Sequence, residues 1–296
     1  MEDGLPRCLM TLREALTEAT ASIPRREAET LLAHLLFRDR PWLIAHSETE
    51  LSTTLLHSYR SLVTRRAARE PIQYLTGAQE FYGINLRVTR DTLIPRPETE
   101  LLVESILEWI AAQPELRSPR LPLRILDVGT GTGAIAIALA THLPAANITA
   151  TDLYPKPLSI AEHNAGRLGL GHRIFFLQSD LLAAPYFAAA PPFDVIVSNP
   201  PYISIYEAAT MPEEVLQHEP HTALFAGPSG LEIYQRLIPA AHKALKPGGL
   251  LALEIGYGQS DSIRKLMEKP ADGPWKDLRI RNDYAQIPRI VLATRA

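Results

Sequence analysis

From residue 123 onward, the chain alternates between short apolar runs and segments in which apolar residues recur at helical spacing. Several runs are continuously apolar, which is typical of strands buried on both faces of a sheet. We predict helices over residues 133–141, 157–168, 230–245 and 260–268. The predicted strands are Leu123–Val128, Asn147–Asp152, Ile174–Gln178, Phe193–Ser198, Gly249–Ile255 and Arg289–Ala293. The alternation predicts an α/β fold with a doubly wound, Rossmann-like sheet.

Residues 1 to about 78 show helical periodicity and no clear strand pattern. Apolar residues recur at helical spacing from Leu12 and again after Pro24, and Ser52 is a candidate N-cap of a third helix. Residues 79–95 favour a hairpin that turns at Gly83, and a further helix reaches about Ala112. We therefore predict a small helical domain over 1–78, a β-hairpin linker over 79–95 and an α/β domain over 96–296.

Composition narrows the class of protein. The 296 residues are 46% hydrophobic and 21% charged, and the net charge is 30 − 33 = −3, which argues against a strongly basic nucleic-acid binder. A single cysteine, Cys8, excludes an internal disulfide framework and a multi-cysteine zinc site, and the nine histidines form no metal motif. With no long apolar run and no basic-then-apolar start, we expect a cytoplasmic protein without a membrane span or metal.

The helical region carries arginines close together in the sequence, at positions 25–26 and 65–69. Ten arginines balance ten acidic residues over residues 1–78, with no lysine. Two interpretations remain open: a patch for an acidic partner, or ordinary solvated helix faces.

A glycine-rich loop directly follows the first predicted strand of the α/β region. Alternating glycines allow a tight turn and a close approach of a ligand, and the next helix offers unpaired N–H groups. Asp152 ends the next strand, where a carboxylate can accept from both hydroxyls of a ribose. The spacing also fits a dinucleotide fingerprint, whereas the start at Asp127 and the third glycine favour S-adenosylmethionine. The loop reads Asp127-Val128-Gly129-Thr130-Gly131-Thr132-Gly133.

The fourth predicted strand leads into Asn199-Pro200-Pro201-Tyr202. Ligands of open α/β sheets bind beyond the carboxyl ends of the strands, so this tetrapeptide faces the predicted cofactor cleft. The side-chain oxygen of Asn199 and the carbonyl of Pro200 can both accept from one planar NH₂ group, and Tyr202 offers an aromatic surface. Two fixed acceptors would orient a poorly nucleophilic amide nitrogen toward a methyl donor and stabilise the charge that develops on it.

These motifs resemble the class I S-adenosylmethionine-dependent amino-methyltransferases. Within that group, the chain is similar to the protein-(glutamine-N5) methyltransferases of peptide chain release factors (the PrmC/HemK family). The similarity covers roughly residues 24–293. It is carried by Pro71-Ile72-Gln73-Tyr74-Leu75-Thr76-Gly77, by Leu93-Ile94-Pro95-Arg96-Pro97-Glu98-Thr99-Glu100, by Leu245-Lys246-Pro247-Gly248-Gly249 and by Glu254-Ile255-Gly256.

The resemblance implies a specific reaction. S-adenosylmethionine would methylate the glutamine side-chain amide in the Gly-Gly-Gln motif of class I release factors, leaving S-adenosylhomocysteine and modulating translation termination. Asn199, Pro200 and Tyr202 would be catalytic, and residues 199–202 would hold the glutamine. The cofactor residues would be Gly129, Thr130, Gly131, Thr132, Gly133, Asp152, Asp180, Leu181 and Asn199, with Leu181 standing where the family often has an aromatic residue.

The resemblance also implies that the helical domain helps to dock the release factor. We expect a monomer that binds neither membranes nor nucleic acid directly. Two alternatives stay open: an adenine-N6 methyltransferase acting on nucleic acid, and a non-catalytic module that binds S-adenosylmethionine. Asp180 is equally consistent with a turn cap. Glu98 and Glu254 either shape the cleft or are an ordinary turn residue and strand-end acid.

Overall fold

The computed structural model describes residues 10–113, 122–268 and 273–296. Its strands are β1 (Ala78–Phe81), β2 (Ile84–Arg87), β3 (Arg124–Val128), β4 (Asn147–Asp152), β5 (Ile174–Gln178), β6 (Phe193–Ser198), β7 (Ile203–Ser204), β8 (Phe225–Gly227), β9 (Leu245–Glu254), β10 (Trp275–Asn282) and β11 (Pro288–Arg295). Its α-helices are α1 (Leu12–Ala19), α2 (Arg25–Leu36), α3 (Arg40–Ala45), α4 (Thr53–Ala67), α5 (Ile72–Thr76), α6 (Pro97–Ala111), α7 (Ala134–His142), α8 (Pro155–Arg167), α9 (Tyr186–Ala189), α10 (Glu213–His218), α11 (His221–Leu224), α12 (Glu232–Ala244) and α13 (Ser260–Glu268).

The chain divides into two compact units. In the described ranges, unit 1 comprises residues 10–77 and 212–218, and unit 2 comprises 78–211 and 219–296. Unit 1 is a helical bundle whose core includes Leu31, Leu32 and Tyr59, and the Tyr59 hydroxyl donates to the Ala28 carbonyl at 3.1 Å. Ser52 caps α4 by accepting from the Leu55 N–H. Helix α10 joins this unit although about 130 residues of unit 2 separate it from the rest in sequence.

The clustered arginines of unit 1 are largely committed to ion pairs. Four of these guanidinium groups each pair with at least one glutamate of the same unit, and two of the glutamates lie on α10. The positive charge is thereby balanced locally, and these groups do not form an unbalanced basic patch. The pairs are Arg25–Glu29 at 2.8 Å, Arg65–Glu70 at 2.7 Å, Arg66–Glu27 at 2.7 Å, Arg66–Glu214 at 2.9 Å and Arg69–Glu213 at 3.4 Å.

Unit 2 contains a seven-stranded sheet in the order β10-β11-β9-β6-β3-β4-β5. Strands β9, β6, β3, β4 and β5 run parallel, whereas β11, near one edge, is antiparallel to both of its neighbours, β9 and β10. This confirms the predicted doubly wound α/β fold. The six predicted strands are all present, but β9 begins at Leu245 rather than Gly249, and β10 was not predicted. Strand β10 escapes the pattern because its register against β11 shifts twice and Asp277 has φ +51°.

The β1–β2 hairpin is an integral part of unit 2. Phe81 and Leu86 are buried in the same apolar cluster as Leu102 and Ile106 of α6. Tyr82 N–H donates to Glu100, again on α6, at 2.8 Å. The predicted hairpin is present, and it buries its apolar side against the α/β core.

The parallel strands place their carboxyl ends at one edge of the sheet, and the ends of β3 and β6 are joined there. Val128 and Ser198 are register partners, and Ser198 Oγ donates to the Val128 carbonyl at 2.7 Å inside the protein. The glycine loop begins at the next residue after Val128, and Asn199 is the next residue after Ser198. The hydrogen bond thus fixes the two sequence motifs side by side.

Candidate active site

A cavity of about 490 Å³ lies in unit 2 beyond the carboxyl ends of the strands. This volume is within the usual range for a site that takes a small molecule. Its walls come from the glycine loop, the β4 and β5 ends, the Asn199 turn and the Asp91–Thr99 segment. Of the predicted site residues, the lining includes Gly129, Thr130, Gly131, Thr132, Asp152, Asp180, Leu181, Asn199, Pro200 and Pro201.

The glycine loop is shaped by backbone hydrogen bonds to the neighbouring strand. Gly129 and Thr130 N–H groups both donate to the Thr151 carbonyl, at 2.9 and 2.8 Å. Gly129 and Gly131 have φ of +75° and +56°, a conformation that costs other residues roughly 1–2 kcal/mol. A Cβ at either position would meet no protein atom within 4 Å. These two glycines therefore keep open space on the cavity side of the loop.

Gly133 has a different role from the other two glycines. It is absent from the cavity lining and is the N-cap of α7, with φ +82°. A Cβ there would lie 3.0 Å from Ile137 Cδ1 and 3.1 Å from Ala161 Cβ. The third glycine thus allows α7 and α8 to pack closely at the loop, and the structure gives it no place in the cavity wall.

Asp127 lies beneath the loop and is fully buried. Its Oδ2 accepts from Thr130 Oγ1 at 2.6 Å and from the Ala136 N–H at 3.2 Å, while Oδ1 finds no partner among the described residues. Burial raises the pKa of this carboxyl to about 7, since the charged form is poorly solvated. The loop is therefore anchored from below by a buried carboxyl.

Asp152 lies on the cavity wall at the end of β4. Its Oδ2 accepts from the Gly131 N–H and its Oδ1 from the Tyr154 N–H, both at 3.0 Å. Burial is the largest influence on this carboxyl and raises its pKa. A carboxylate has about four acceptor positions. Asp152 therefore keeps acceptor capacity for a donor from the cavity.

The end of β5 contributes Asp180 and Leu181. The Asp180 carboxylate pairs with Arg236 of α12 at 2.6 Å, and both side chains are about half exposed. Leu181 has φ +51° and presents an aliphatic side chain to the cavity wall. Both residues line the cavity, and the Arg236 contact was not foreseen from the sequence.

Asn199 is oriented by a residue from a distant part of the chain. Its Nδ2 donates to Thr99 Oγ1 at 3.0 Å, across a separation of 100 residues. No donor among the described residues reaches Asn199 Oδ1. Since Asn199 lines the cavity, its carbonyl oxygen is the amide atom left for a ligand. Sequence reasoning missed Thr99, because only the resemblance drew attention to its segment.

Behind Asn199, Thr99 Oγ1 donates to Glu254 Oε2 at 2.6 Å. Glu254 is 2% exposed, and burial raises its pKa to about 7. Tyr202 is absent from the cavity lining and turns its hydroxyl toward Glu254 Oε1, at 3.4 Å. The ring of Tyr202 is packed so closely that a Cβ on Gly256 would lie 2.9 Å from Cδ2. Tyr202 thus supports the turn from behind in this structure.

The Asp91–Thr99 wall is fixed by another buried acid, Glu219, to which the sequence assigned no role in the site. Glu219, which is almost fully buried, accepts from the Ile94 N–H at 3.2 Å and from the Arg96 guanidinium. Arg96 itself lines the cavity. This arrangement holds the segment that carries Thr99 against the rest of the cavity.

Within the described ranges, no group of three or more His, Cys, Asp and Glu side chains is placed to hold a metal ion. Nor does any helix in those ranges have both the length and the apolar character needed to cross a membrane.

Comparison with known proteins identifies both parts of the chain. Residues 8–77 match the family model of the PrmC N-terminal domain, and residues 122–279 match a methyltransferase domain. A methyltransferase structure from Pyrococcus furiosus covers 79% of this chain and 99% of its own, with a TM-score of 0.52 and 18% identity, which shows the shared fold.

Two curated relatives extend over almost the whole chain. The release factor glutamine methyltransferase of Moorella thermoacetica is 42% identical over 97% of this chain and 99% of its own length. That of Escherichia coli K12 is 41% identical over 95% of this chain and 96% of its own. The resemblance inferred from the motifs is confirmed, and this chain belongs to the release factor glutamine methyltransferase family.

Proposed function

We propose that this protein methylates the side-chain amide nitrogen of the glutamine in the Gly-Gly-Gln motif of class I release factors, with S-adenosylmethionine as methyl donor. The observation that carries the proposal is the Asn199 side chain, whose Nδ2 is held by Thr99 while its carbonyl oxygen is left for the cavity. That cavity also contains the glycine loop. A hydrogen-bond acceptor fixed beside a glycine loop of the nucleotide-binding type suits methyl transfer to a planar NH₂ group.

The cavity fits S-adenosylmethionine in both chemistry and space. Gly129 and Gly131 leave the loop open where side chains would otherwise stand. Asp152 has acceptor capacity for ribose hydroxyls, and Leu153 and Leu181 supply apolar wall for an adenine ring. Asp180 can accept from the adenine amino group. We propose these as the cofactor-binding residues, with Gly133 acting through helix packing instead of contact.

The chain's own groups can activate an amide without a strong base. Asn199 Oδ1 and the Pro200 carbonyl would accept the two N–H hydrogens of the substrate glutamine, aim its nitrogen and stabilise the positive charge that develops there. When bound, S-adenosylmethionine would supply the methyl group that this nitrogen takes, and the electron pair of the methyl–sulfur bond would remain on the sulfur of S-adenosylhomocysteine. The cationic nitrogen then loses one proton to water, which leaves the methylated amide and S-adenosylhomocysteine.

Unit 1 is proposed to dock the release factor. Its match to the PrmC N-terminal domain supports this role. Phe37 is 90% exposed at a left-handed φ of +53°, and Ile44 on α3 is also largely exposed. Exposed apolar side chains that the bundle does not need for its own core are suited to a protein partner.

The test is mass spectrometry of a purified class I release factor after incubation with this protein and S-adenosylmethionine. A gain of one methyl group on the Gly-Gly-Gln glutamine, absent with Asn199→Ala, is the expected result. If the protein binds S-adenosylhomocysteine but leaves the release factor unmodified, the proposal fails. The same assay on DNA and RNA would then distinguish an adenine-N6 methyltransferase from a non-catalytic binding module.

A further inference from the structure

A buried chain of hydrogen bonds runs from Glu254 through Thr99 to Asn199. Thr99 Oγ1 lies 2.6 Å from Glu254 Oε2 and 3.0 Å from Asn199 Nδ2. The three residues come from β9, from the first turn of α6 and from the turn after β6, so the fold alone brings them together. Thr99 and Glu254 are both buried, which shields this chain from competing water.

The direction of this chain decides what Asn199 offers to a ligand. An ionised carboxylate only accepts, so the Thr99 hydroxyl must give its one hydrogen to Glu254. The Thr99 oxygen can then only accept, and Asn199 must turn its NH₂ group toward it. The carbonyl oxygen of Asn199 is thereby left for the cavity.

We propose that Thr99 and Glu254 are positioning residues that set the amide orientation of Asn199, and that ionised Glu254 is what enforces the productive direction. This inference rests on the proposed function, because it assigns Asn199 Oδ1 the task of accepting from the substrate amide. Neither residue touches the substrate in this scheme, and both act through Asn199.

A neutral Glu254 removes the constraint. The protonated carboxyl can donate to Thr99, whose hydroxyl can then donate to a flipped Asn199 carbonyl. The cavity would then meet the Asn199 NH₂ group, a donor facing the donor NH₂ of the substrate. Methyl transfer is therefore expected to be faster at higher pH and to slow as Glu254 takes up a proton.

The groups around Glu254 place this change near neutrality. Arg289 of β11 and the Tyr202 hydroxyl favour the charged form, whereas Glu98 of α6 opposes it. The Tyr234 hydroxyl of α12 donates to the Glu254 backbone carbonyl at 2.7 Å. Burial outweighs the favourable contacts, so the pKa of the carboxyl rises to about 7.

The kinetic test compares the pH dependence of kcat/KM for the release factor between pH 6 and 9. The wild type is expected to rise through about pH 7. Thr99→Val keeps the β-branched shape and should lose this rise. It should lower kcat about 10-fold at pH 8.5, which is the effect of one lost hydrogen bond, and leave KM for the release factor unchanged. Glu254→Gln should also lose the rise, while Thr99→Ser, which keeps the hydroxyl, should restore the rise that Thr99→Val loses.

Two competing explanations predict different results. If Glu254 acted only through its charge, Thr99→Val would move the rise to higher pH, because the carboxyl loses a stabilising hydrogen bond. If Asp127 caused the rise, it would persist in both Glu254→Gln and Thr99→Val. Either result overturns the proposal.

Thr141→Val is the matched control and should behave as wild type. Thr141 is an exposed threonine of α7, and among the described residues its hydroxyl bonds only its own helix.

A second readout needs no activity and keeps the inference separate from the proposed function. In protein labelled with ¹⁵N-asparagine, the Asn199 side-chain NH₂ signals are assigned by their loss in Asn199→Ala. These signals should shift with a midpoint of about pH 7 in the wild type and not titrate in Thr99→Val or Glu254→Gln. A pH-independent Asn199 signal in the wild type overturns the proposal, even if the release factor is methylated.

Discussion

Two loops follow neighbouring strands at the same edge of the sheet, and they are built in opposite ways. The glycine loop after β3 is shaped by its own backbone, which donates to Thr151 and Asp152 on the adjacent strand. The Asn199 turn after β6 depends on side chains, since Thr99 and Glu254 reach it from α6 and β9. Each loop has one buried carboxyl behind it, Asp127 or Glu254, and burial raises the pKa of both to about 7.

The difference follows from what each loop would bind. S-adenosylmethionine carries no phosphate and offers ribose hydroxyls and apolar surface. Such a cofactor needs a loop backbone that leaves space for it and one carboxylate, and glycines with positive φ supply that space within the loop. A planar amide needs its acceptors held in one orientation, and a free asparagine side chain turns easily. The substrate end therefore requires supports from elsewhere in the fold, whereas the cofactor end is encoded within a few residues.

The largest effect is expected from Asn199→Ala. Removing a fixed acceptor for a developing charge costs about 10²–10³-fold in kcat in comparable sites. Because the glycine loop is left unchanged, the affinity for S-adenosylhomocysteine should change far less. Single-turnover methyl transfer measures the first quantity and calorimetric titration the second. Equal losses in kcat and in this affinity would show that the two loops do not act separately.

The next largest effect separates two glycines of one loop. Gly133→Ala should lower the free energy of unfolding by about 2–4 kcal/mol, because a left-handed φ adds to crowding against Ile137 and Ala161. Gly131→Ala carries only the conformational cost of about 1–2 kcal/mol but places a methyl group in open space beside Asp152. Urea unfolding and the affinity for S-adenosylhomocysteine measure the two effects.

The pattern expected is a stability defect for Gly133→Ala and a binding defect for Gly131→Ala. If Gly133→Ala unfolds like the wild type yet loses cofactor affinity, then Gly133 contacts the ligand after all, as the sequence first suggested.

The third prediction concerns the buried carboxyl under the glycine loop. The pKa of Asp127 rises from 3.8 to about 7 on folding, so the folded state holds the proton more tightly than the unfolded chain. Its contribution to stability is fully present below pH 3.8 and is lost as the pH rises through about 7, at about 1.4 kcal/mol per pH unit in that window. Asp127→Asn does not titrate and should lose this slope.

Urea unfolding of wild type and Asp127→Asn at pH 5, 6, 7 and 8 tests this. The difference between their free energies of unfolding should change steadily up to pH 7 and level off above it. Glu254→Gln provides the matched comparison. In the wild type, the Glu254 carboxyl contributes a similar slope from pH 4.5 to about 7. Parallel curves for wild type and Asp127→Asn would mean that this carboxyl is charged throughout.

The contrast between the loops also explains what could be predicted from the sequence. The glycine loop, Asp152 and the Asn199 turn each lie at the end of an apolar strand, so the sheet topology brings them together. Thr99 lies 100 residues before Asn199, and Glu254 lies 155 residues after Thr99. Their roles depend on which elements pack together, which no local pattern contains. The membership of α10 in unit 1 was missed for the same reason, because it depends on which elements pack together.

The smallest effect is expected at the outer end of the cofactor wall. Arg236 and Asp180 form an ion pair in which both side chains are about half exposed, so solvent screens the attraction and the pair contributes at most about 1 kcal/mol. Arg236→Ala should therefore change the affinity for S-adenosylhomocysteine less than about 5-fold and leave kcat unchanged. A loss above 10-fold in calorimetric titration would mean that Asp180 needs its partner to be held in place. The cofactor end would then depend on long-range side-chain support, as the Asn199 turn does.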